Sequence, residues 1–162
     1  MNLENPLKIL LAEDDLDDRL FFDKALKGIP IATHLTTVRD GQQLMSYLLL
    51  NSKQLPDLLF LDLSMPKKTG YECLAEIKAN KELKVIPVVI FTTSFGRSSY
   101  FEQNLINTLI NLGALDYIRK PGNTNQLKQL IRIVLIRILK KNEPNAQEVA
   151  QTSFSAEKNK TK

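Results

Sequence analysis

Four polar stretches of this chain stand directly after apolar runs: Glu13-Asp14-Asp15, Asp62, Thr92-Thr93-Ser94 and Lys120-Pro121. Asp62 is the most telling, because it ends Leu58-Leu59-Phe60-Leu61, and a charge there needs a cation, a donor or a reaction to offset its burial. Carboxylates gathered at one site repel one another and partly protonate unless a cation compensates. An all-oxygen set without histidine or cysteine favours a hard ion such as Mg²⁺. The charges of Glu13, Asp14 and Asp62 would be balanced by one Mg²⁺ and the Lys120 ammonium. A phosphoryl group delivered to Asp62 would bring further negative oxygens, for which the metal, Lys120 and the Thr92 hydroxyl are suitable partners. Asp62 is then the nucleophile that forms an aspartyl phosphate.

These residues can meet only if the elements carrying them lie side by side. Strands are expected at Leu7–Ala12, Ala32–Val38, Asp57–Leu61, Pro87–Thr92 and Asp116–Ile118. All but the second are dominated by consecutive apolar residues, the pattern of parallel strands covered on both faces. Helices are expected near Asp17–Lys27, Gly41–Asn51, Gly70–Ala79, Ser98–Leu112 and Thr124–Lys141. The alternation predicts an α/β fold, a (βα)5 three-layer α/β/α sandwich. In such an open parallel sheet, reactive groups collect at the carboxyl ends of the strands, which is where all four polar stretches fall.

Composition is consistent with that frame. The 162 residues, 43% hydrophobic and 25% charged, suit one globular domain with a sizeable core. A single cysteine, Cys73, excludes an internal disulfide framework, and no run has the length of a signal or membrane-spanning helix. The expected compartment is the cytoplasm, with no membrane partner. The net charge of +4 is spread along the chain and its tail, which makes nucleic acid a poor candidate partner.

With these motifs quoted in order, a resemblance stands out. The stretches are Lys8-Ile9-Leu10-Leu11-Ala12-Glu13-Asp14-Asp15, Pro56-Asp57-Leu58-Leu59-Phe60-Leu61-Asp62-Leu63-Ser64-Met65-Pro66 with Gly70, Pro87 to Ser94, and Gly113-Ala114-Leu115-Asp116-Tyr117-Ile118-Arg119-Lys120-Pro121. Over roughly Pro6 to Lys141 the chain resembles the receiver domain of two-component response regulators. The resemblance implies a flavodoxin-like fold with sheet order 2-1-3-4-5 and Mg²⁺-dependent phosphorylation of Asp62 by a histidine kinase or histidine phosphotransfer protein. It implies that Asp14 ligates the metal directly, that Glu13 reaches it largely through water, and that Asp62 and the backbone carbonyl of Ser64 complete the protein ligands. Thr92 and Lys120 would bind phosphoryl oxygens, and Tyr117 would rotate inward as Thr92 moves. The Lys120-Pro121 peptide is expected to be cis.

The same resemblance makes the chain a phosphoacceptor signalling protein, not an enzyme acting on separate substrates. It would signal to a downstream protein, not identifiable here, through the face formed by helix four, strand five and helix five. A scaffold that works without phosphorylation and a phosphohydrolase are the alternatives. The hydrolase would want a second acid beside the nucleophile, which Leu63 and Ser64 do not offer. Ser64 and Ser94 also supply no carboxylate or amide to orient water, so a persistent phosphoryl state is expected.

Simple structural roles suffice for several residues. Glu13-Asp14-Asp15 taken alone would complement a helix N-terminus, Cys73 is a small apolar residue of helix three, and His34 faces solvent from strand two. Between Thr92 and Lys120 lie 27 residues, several more than in compact receivers, which predicts a lengthened loop before helix four within Phe95–Leu112. Ile133 and Ile136, rimmed by Arg132, Arg137, Lys140 and Lys141, suggest a homodimer surface that includes helix five. The receiver is assigned to residues 1–141, and residues 142–162 to a disordered polar tail.

Overall fold

The computed structural model describes residues 5–93 and 98–143. Its strands are β1 (Leu7–Ala12), β2 (Thr33–Val38), β3 (Leu58–Leu61), β4 (Val88–Thr92) and β5 (Asp116–Arg119). The helices are α1 (Leu16–Lys27), α2 (Gly41–Leu50), α3 (Gly70–Ala79), α4 (Ser99–Leu112) and α5 (Thr124–Asn142), with a 3₁₀ turn at Leu83–Val85. All strand pairs are parallel, in the order β2-β1-β3-β4-β5. This is the expected flavodoxin-like sandwich.

The consecutive apolar runs resolve into two interleaved faces, because successive strand residues point to opposite sides of a sheet. Leu10, Leu59, Leu61, Val88 and Ile90 pack with Leu44, Leu48, Leu74, Ile77 and Leu109 of α2, α3 and α4. Ile9, Leu11, Phe60, Val89 and Phe91 pack with Phe22, Leu26, Ile131 and Leu135 of α1 and α5. Phe22, Phe60 and Phe91 meet edge to face, with centroids 4.9, 5.5 and 6.4 Å apart. Edge strand β2 keeps several residues exposed, His34 among them, as expected of its mixed sequence.

Helix starts are fixed by side-chain caps. Asp15, Asp40, Thr69, Ser98 and Asn123 each accept from a backbone N–H of the first turn, and Thr69 with Glu72 forms a reciprocal capping box.

Helix α4 takes Ser99–Leu112, close to the expected Ser98–Leu112, and residues 93–98 join it to β4. Residues 94–97, and so Ser94 and most of the loop expected to be lengthened, lie outside the described residues. Two expectations change. No peptide among the described residues is cis, so Lys120-Pro121 is trans, the form an X–Pro bond prefers when nothing around it locks the alternative. Ile133 is 64% exposed, but Ile136 is half-buried in a cleft of about 370 Å³ against Pro30, Ile31 and Ala32, so the two isoleucines do not form one open patch. Helix α5 runs to Asn142, and the expected disordered tail from residue 144 onward lies outside the described residues. No described helix is long and apolar enough to cross a membrane.

Candidate functional site

Strand register brings the polar stretches together. Ala12 pairs with Leu61, so Glu13 and Asp62 leave neighbouring strands level with each other, and the Asp62 N–H donates to Ala12 O at 3.0 Å. Thr92 pairs with Arg119, and the Lys120 N–H donates to Thr92 O at 2.8 Å. The four strand ends therefore form one wall.

Within it, Asp62 is buried and well supplied with donors. Its Oδ1 accepts from the Thr92 hydroxyl at 2.9 Å and from the Ser64 N–H at 3.2 Å, while Oδ2 lies 3.4 Å from Lys120 Nζ. One ligating oxygen from each of Glu13, Asp14 and Asp62 falls within 4.8 Å of the others. Glu13 and Asp62 are buried and Asp14 is exposed, so the cluster has a closed back and an open front.

Burial is the largest influence on Glu13 and pushes its carboxyl up to about 7, with the Asp62 charge adding to the rise and Lys120 opposing it. Glu13 Oε2 is 2.5 Å from Lys120 Nζ, but the approach is out of line for a hydrogen bond, and the oxygen is buried with no such partner. A hard cation held by this all-oxygen set would satisfy that oxygen, so the residues fit a divalent metal. Burial also acts on the Lys120 ammonium, but Asp18, Glu13 and the Asp62 charge more than offset it and hold the group above its ordinary range. The ammonium lies 5.4 Å from the centroid of Phe91, over the aromatic cluster.

Two features hold the β3–α3 loop against Asp62. Gly70 lies so close to the strand end that a Cβ there would fall 2.0 Å from Asp62 O, and its N–H donates to Leu63 O at 3.0 Å. Lys67 has φ +67°, with the Lys68 N–H closing a three-residue turn onto Pro66 O at 2.8 Å. Such a turn is strained for a side-chain-bearing residue and persists because its surroundings over-determine it.

The family model described as the response regulator receiver domain matches residues 9–132. This chain belongs to the response regulator receiver family. Response regulator Rcp1 of Synechocystis sp. is 45% identical over 133 residues, 79% of this chain and 86% of its own length. Among solved structures, the phosphorylated cyanobacterial phytochrome response regulator RcpA gives a TM-score of 0.73 at 34% identity, covering 88% of this chain and 100% of that one. The Mn²⁺-bound form of response regulator Rcp1 gives 0.68 at 34% identity, covering 80% and 91%.

In this receiver, Glu13, Asp14, Asp62, Thr92 and Lys120 meet at one place, and Ser64 joins them through its N–H. Tyr117 stands apart from them. Its ring packs against the α2–α3–α4 side of the core, and its hydroxyl is buried beside Glu102 without a hydrogen bond of ordinary geometry. Burial first, then the Glu102 charge, raises the Tyr117 hydroxyl above its ordinary value. Cys73 is buried under α2, its Sγ 3.5 Å from Gly41 O, and burial pushes its thiol up to about 11, as suits an inert core residue.

Two further residues of α1 reach the site, though neither belongs to the four polar stretches. Arg19 Nη1 donates to the carbonyls of Glu13 and Asp14, both at 2.9 Å, and so fixes the turn that presents the two acids. Asp18 Oδ2 accepts from Lys120 Nζ at 2.8 Å. The only sequence signal for either was its place in the first turn of α1.

Proposed function

We propose that this chain is a response regulator receiver whose Asp62 accepts a phosphoryl group, in a Mg²⁺-dependent reaction, from the phosphohistidine of a histidine kinase or a histidine phosphotransfer protein. The observation that carries this reading is the convergence on one buried carboxylate of a hydroxyl, a backbone N–H, an ammonium and two further acids. The relatives agree with it. RcpA is described as phosphorylated and Rcp1 as Mn²⁺-bound, the two states that this arrangement would adopt.

Glu13, Asp14, Asp62 and the Ser64 carbonyl would hold the cation. When bound, it supplies positive charge to the oxygens of the transferring group. An Asp62 carboxylate oxygen attacks phosphorus as the P–N bond to the donor imidazole breaks. The Ser64 N–H and the Thr92 hydroxyl hold the carboxylate in place for that attack. After transfer, Thr92 and Lys120 turn from the carboxylate to phosphoryl oxygens, and the conformer that offers them better contacts gains population. That shift reaches an unidentified downstream protein, or a second copy of the chain, through α4, β5 and α5, with Tyr117 as the switch aromatic. Ser64 supplies no carboxylate or amide to orient hydrolytic water, which supports a persistent phosphoryl state and a protein that turns over no separate substrate.

Incubation with Mg²⁺ and a small phosphodonor such as acetyl phosphate tests this. A hydroxylamine-sensitive acyl phosphate is expected on the wild type and not on Asp62→Asn. Multiple turnover of unrelated phosphate esters would point to a hydrolase, and no modification at all would point to a scaffold.

A further inference from the structure

Lys120 has more partners than its expected role requires. Its ammonium is 9% exposed and lies 2.5 Å from Glu13 Oε2, 2.8 Å from Asp18 Oδ2 and 3.4 Å from Asp62 Oδ2. The Asp18 contact is the one with good hydrogen-bond length and direction, and the residue meant to receive Lys120 after phosphorylation is the farthest of the three.

We propose that Asp18 is a positioning residue for the phosphoryl reaction: it draws the Lys120 ammonium toward α1 and competes with the phosphorylated form of Asp62 for it. This inference rests on the phosphoacceptor reading of Asp62. An ammonium has three N–H donors, and here they face three carboxylates. Phosphorylation turns the single charge at Asp62 into a doubly charged group. Lys120 can approach the new oxygens only by giving up part of its contact with Asp18. Asp18 is placed to be given up, because its side chain is 37% exposed and water can replace the ammonium, whereas Glu13 is 1% exposed and cannot be solvated in the same way. Its position is also fixed: Asp15 caps α1 by accepting from the Asp18 N–H at 2.9 Å, which presents the side chain of that first-turn residue to the site.

The rival explanation is that Asp18 merely complements the positive end of α1, with Lys120 a bystander. Asp17 separates the two accounts, since it lies in the same first turn, is exposed, and makes no hydrogen bond or ion pair with a site residue among the described residues. Asp18→Asn, Asp18→Glu and Asp17→Asn are compared with the wild type in two measurements. In the first, each protein is held with Mg²⁺ and subsaturating acetyl phosphate. The steady-state ratio of phosphorylated to unphosphorylated protein should rise roughly 1.5-fold to fivefold in Asp18→Asn, the scale of one lost partly exposed ion pair, and stay near wild type in the other two. In the second, without donor or metal, NMR follows solvent exchange of the Lys120 ammonium protons, which should speed up in Asp18→Asn and stay unchanged in Asp17→Asn.

Equal behaviour of Asp18→Asn and Asp17→Asn in either measurement overturns the proposal. If the wild type forms no acyl phosphate, the phosphoacceptor reading has failed. The competition then has nothing to act on and is overturned with it, while exchange of the ammonium protons still reports whether Asp18 holds Lys120.

Discussion

The carboxyl edge of the sheet and the α4–β5 face are built to opposite standards of packing. At the edge, Asp62 and Thr92 are almost wholly buried, each polar group is tied to strand register, and a glycine with no room for a Cβ locks the following loop. On the other face, α4 buries only Leu109 and leaves Tyr100 77% exposed. Its first turns overhang an apolar cleft of about 290 Å³ lined by Leu63, Thr69, Tyr71, Phe101 and Leu105. A paired Glu102 and Arg119 tie α4 to β5. Reaction chemistry needs one geometry held within tight limits, whereas a signalling surface needs two arrangements of similar energy. The difference in packing is what the proposed function would require of the two regions.

The comparison breaks if the edge tolerates crowding. Gly70→Ala would put a methyl group 2.0 Å from backbone Asp62 O, where nothing flexible can give way. We expect a loss of roughly 3 kcal/mol in chemical denaturation, the upper range for overpacking, together with weakened metal binding. A loss below about 1 kcal/mol, the lower bound of that range, would show that the loop is not locked.

Next in size is a dependence on pH. With its carboxyl at about 7, Glu13 is largely protonated at pH 6, and a divalent cation must displace that proton. Mg²⁺ affinity, measured by calorimetry or NMR, should rise about tenfold from pH 6 to pH 8, with proton release falling from roughly one per cation at pH 6 to almost none at pH 8. The metal-free protein responds with the opposite sign. A carboxyl raised above its ordinary 4.5 makes the folded state bind the extra proton, so this group's contribution to stability is lost as the pH climbs toward 7. A flat affinity across that range would mean that Glu13 is already ionised and that the edge is less closed than its burial implies.

How much of each region the sequence disclosed follows the same division. The strands were legible because two-sided burial leaves uninterrupted apolar runs, and Asp62 because a carboxylate interrupts one. The helices from Gly70 and Thr124 were expected close to where they begin, and the structure shows Thr69 and Asn123 capping them, a preference that is local. Asp18 was not, because an acid in a first helical turn is explained equally well by the helix dipole, and its partner Lys120 is 102 residues away. Nor could composition show that Gly70 folds back on Asp62 O, since a glycine before a helix serves many turns. The helix after Thr92 was legible in the spacing of Leu105, Leu109 and Leu112, whereas the length of its entry loop was not, because extra residues can lengthen either a loop or a helix.

Two smaller effects sharpen the account of α4. Gly113 ends the helix at φ +118°, where its N–H closes onto Ile110 O and Leu109 O. Gly113→Ala should lose only about 1 kcal/mol, because the strain is local and the nearest atoms belong to the flexible Lys78 side chain. Glu102→Gln should lose less than about 1 kcal/mol, since Arg119 is more than half exposed and such pairs are screened by water. Its consequence should be regional. If that pair is a main tie between α4 and β5, amide hydrogen exchange will speed up along Ser99–Leu112 while β1 and β3 keep their protection. Uniform exchange across all elements would instead mean that α4 opens only with the whole fold. A face that opens only in that way could not shift its population independently, and the contrast between a fixed reaction edge and a movable signalling face would be lost.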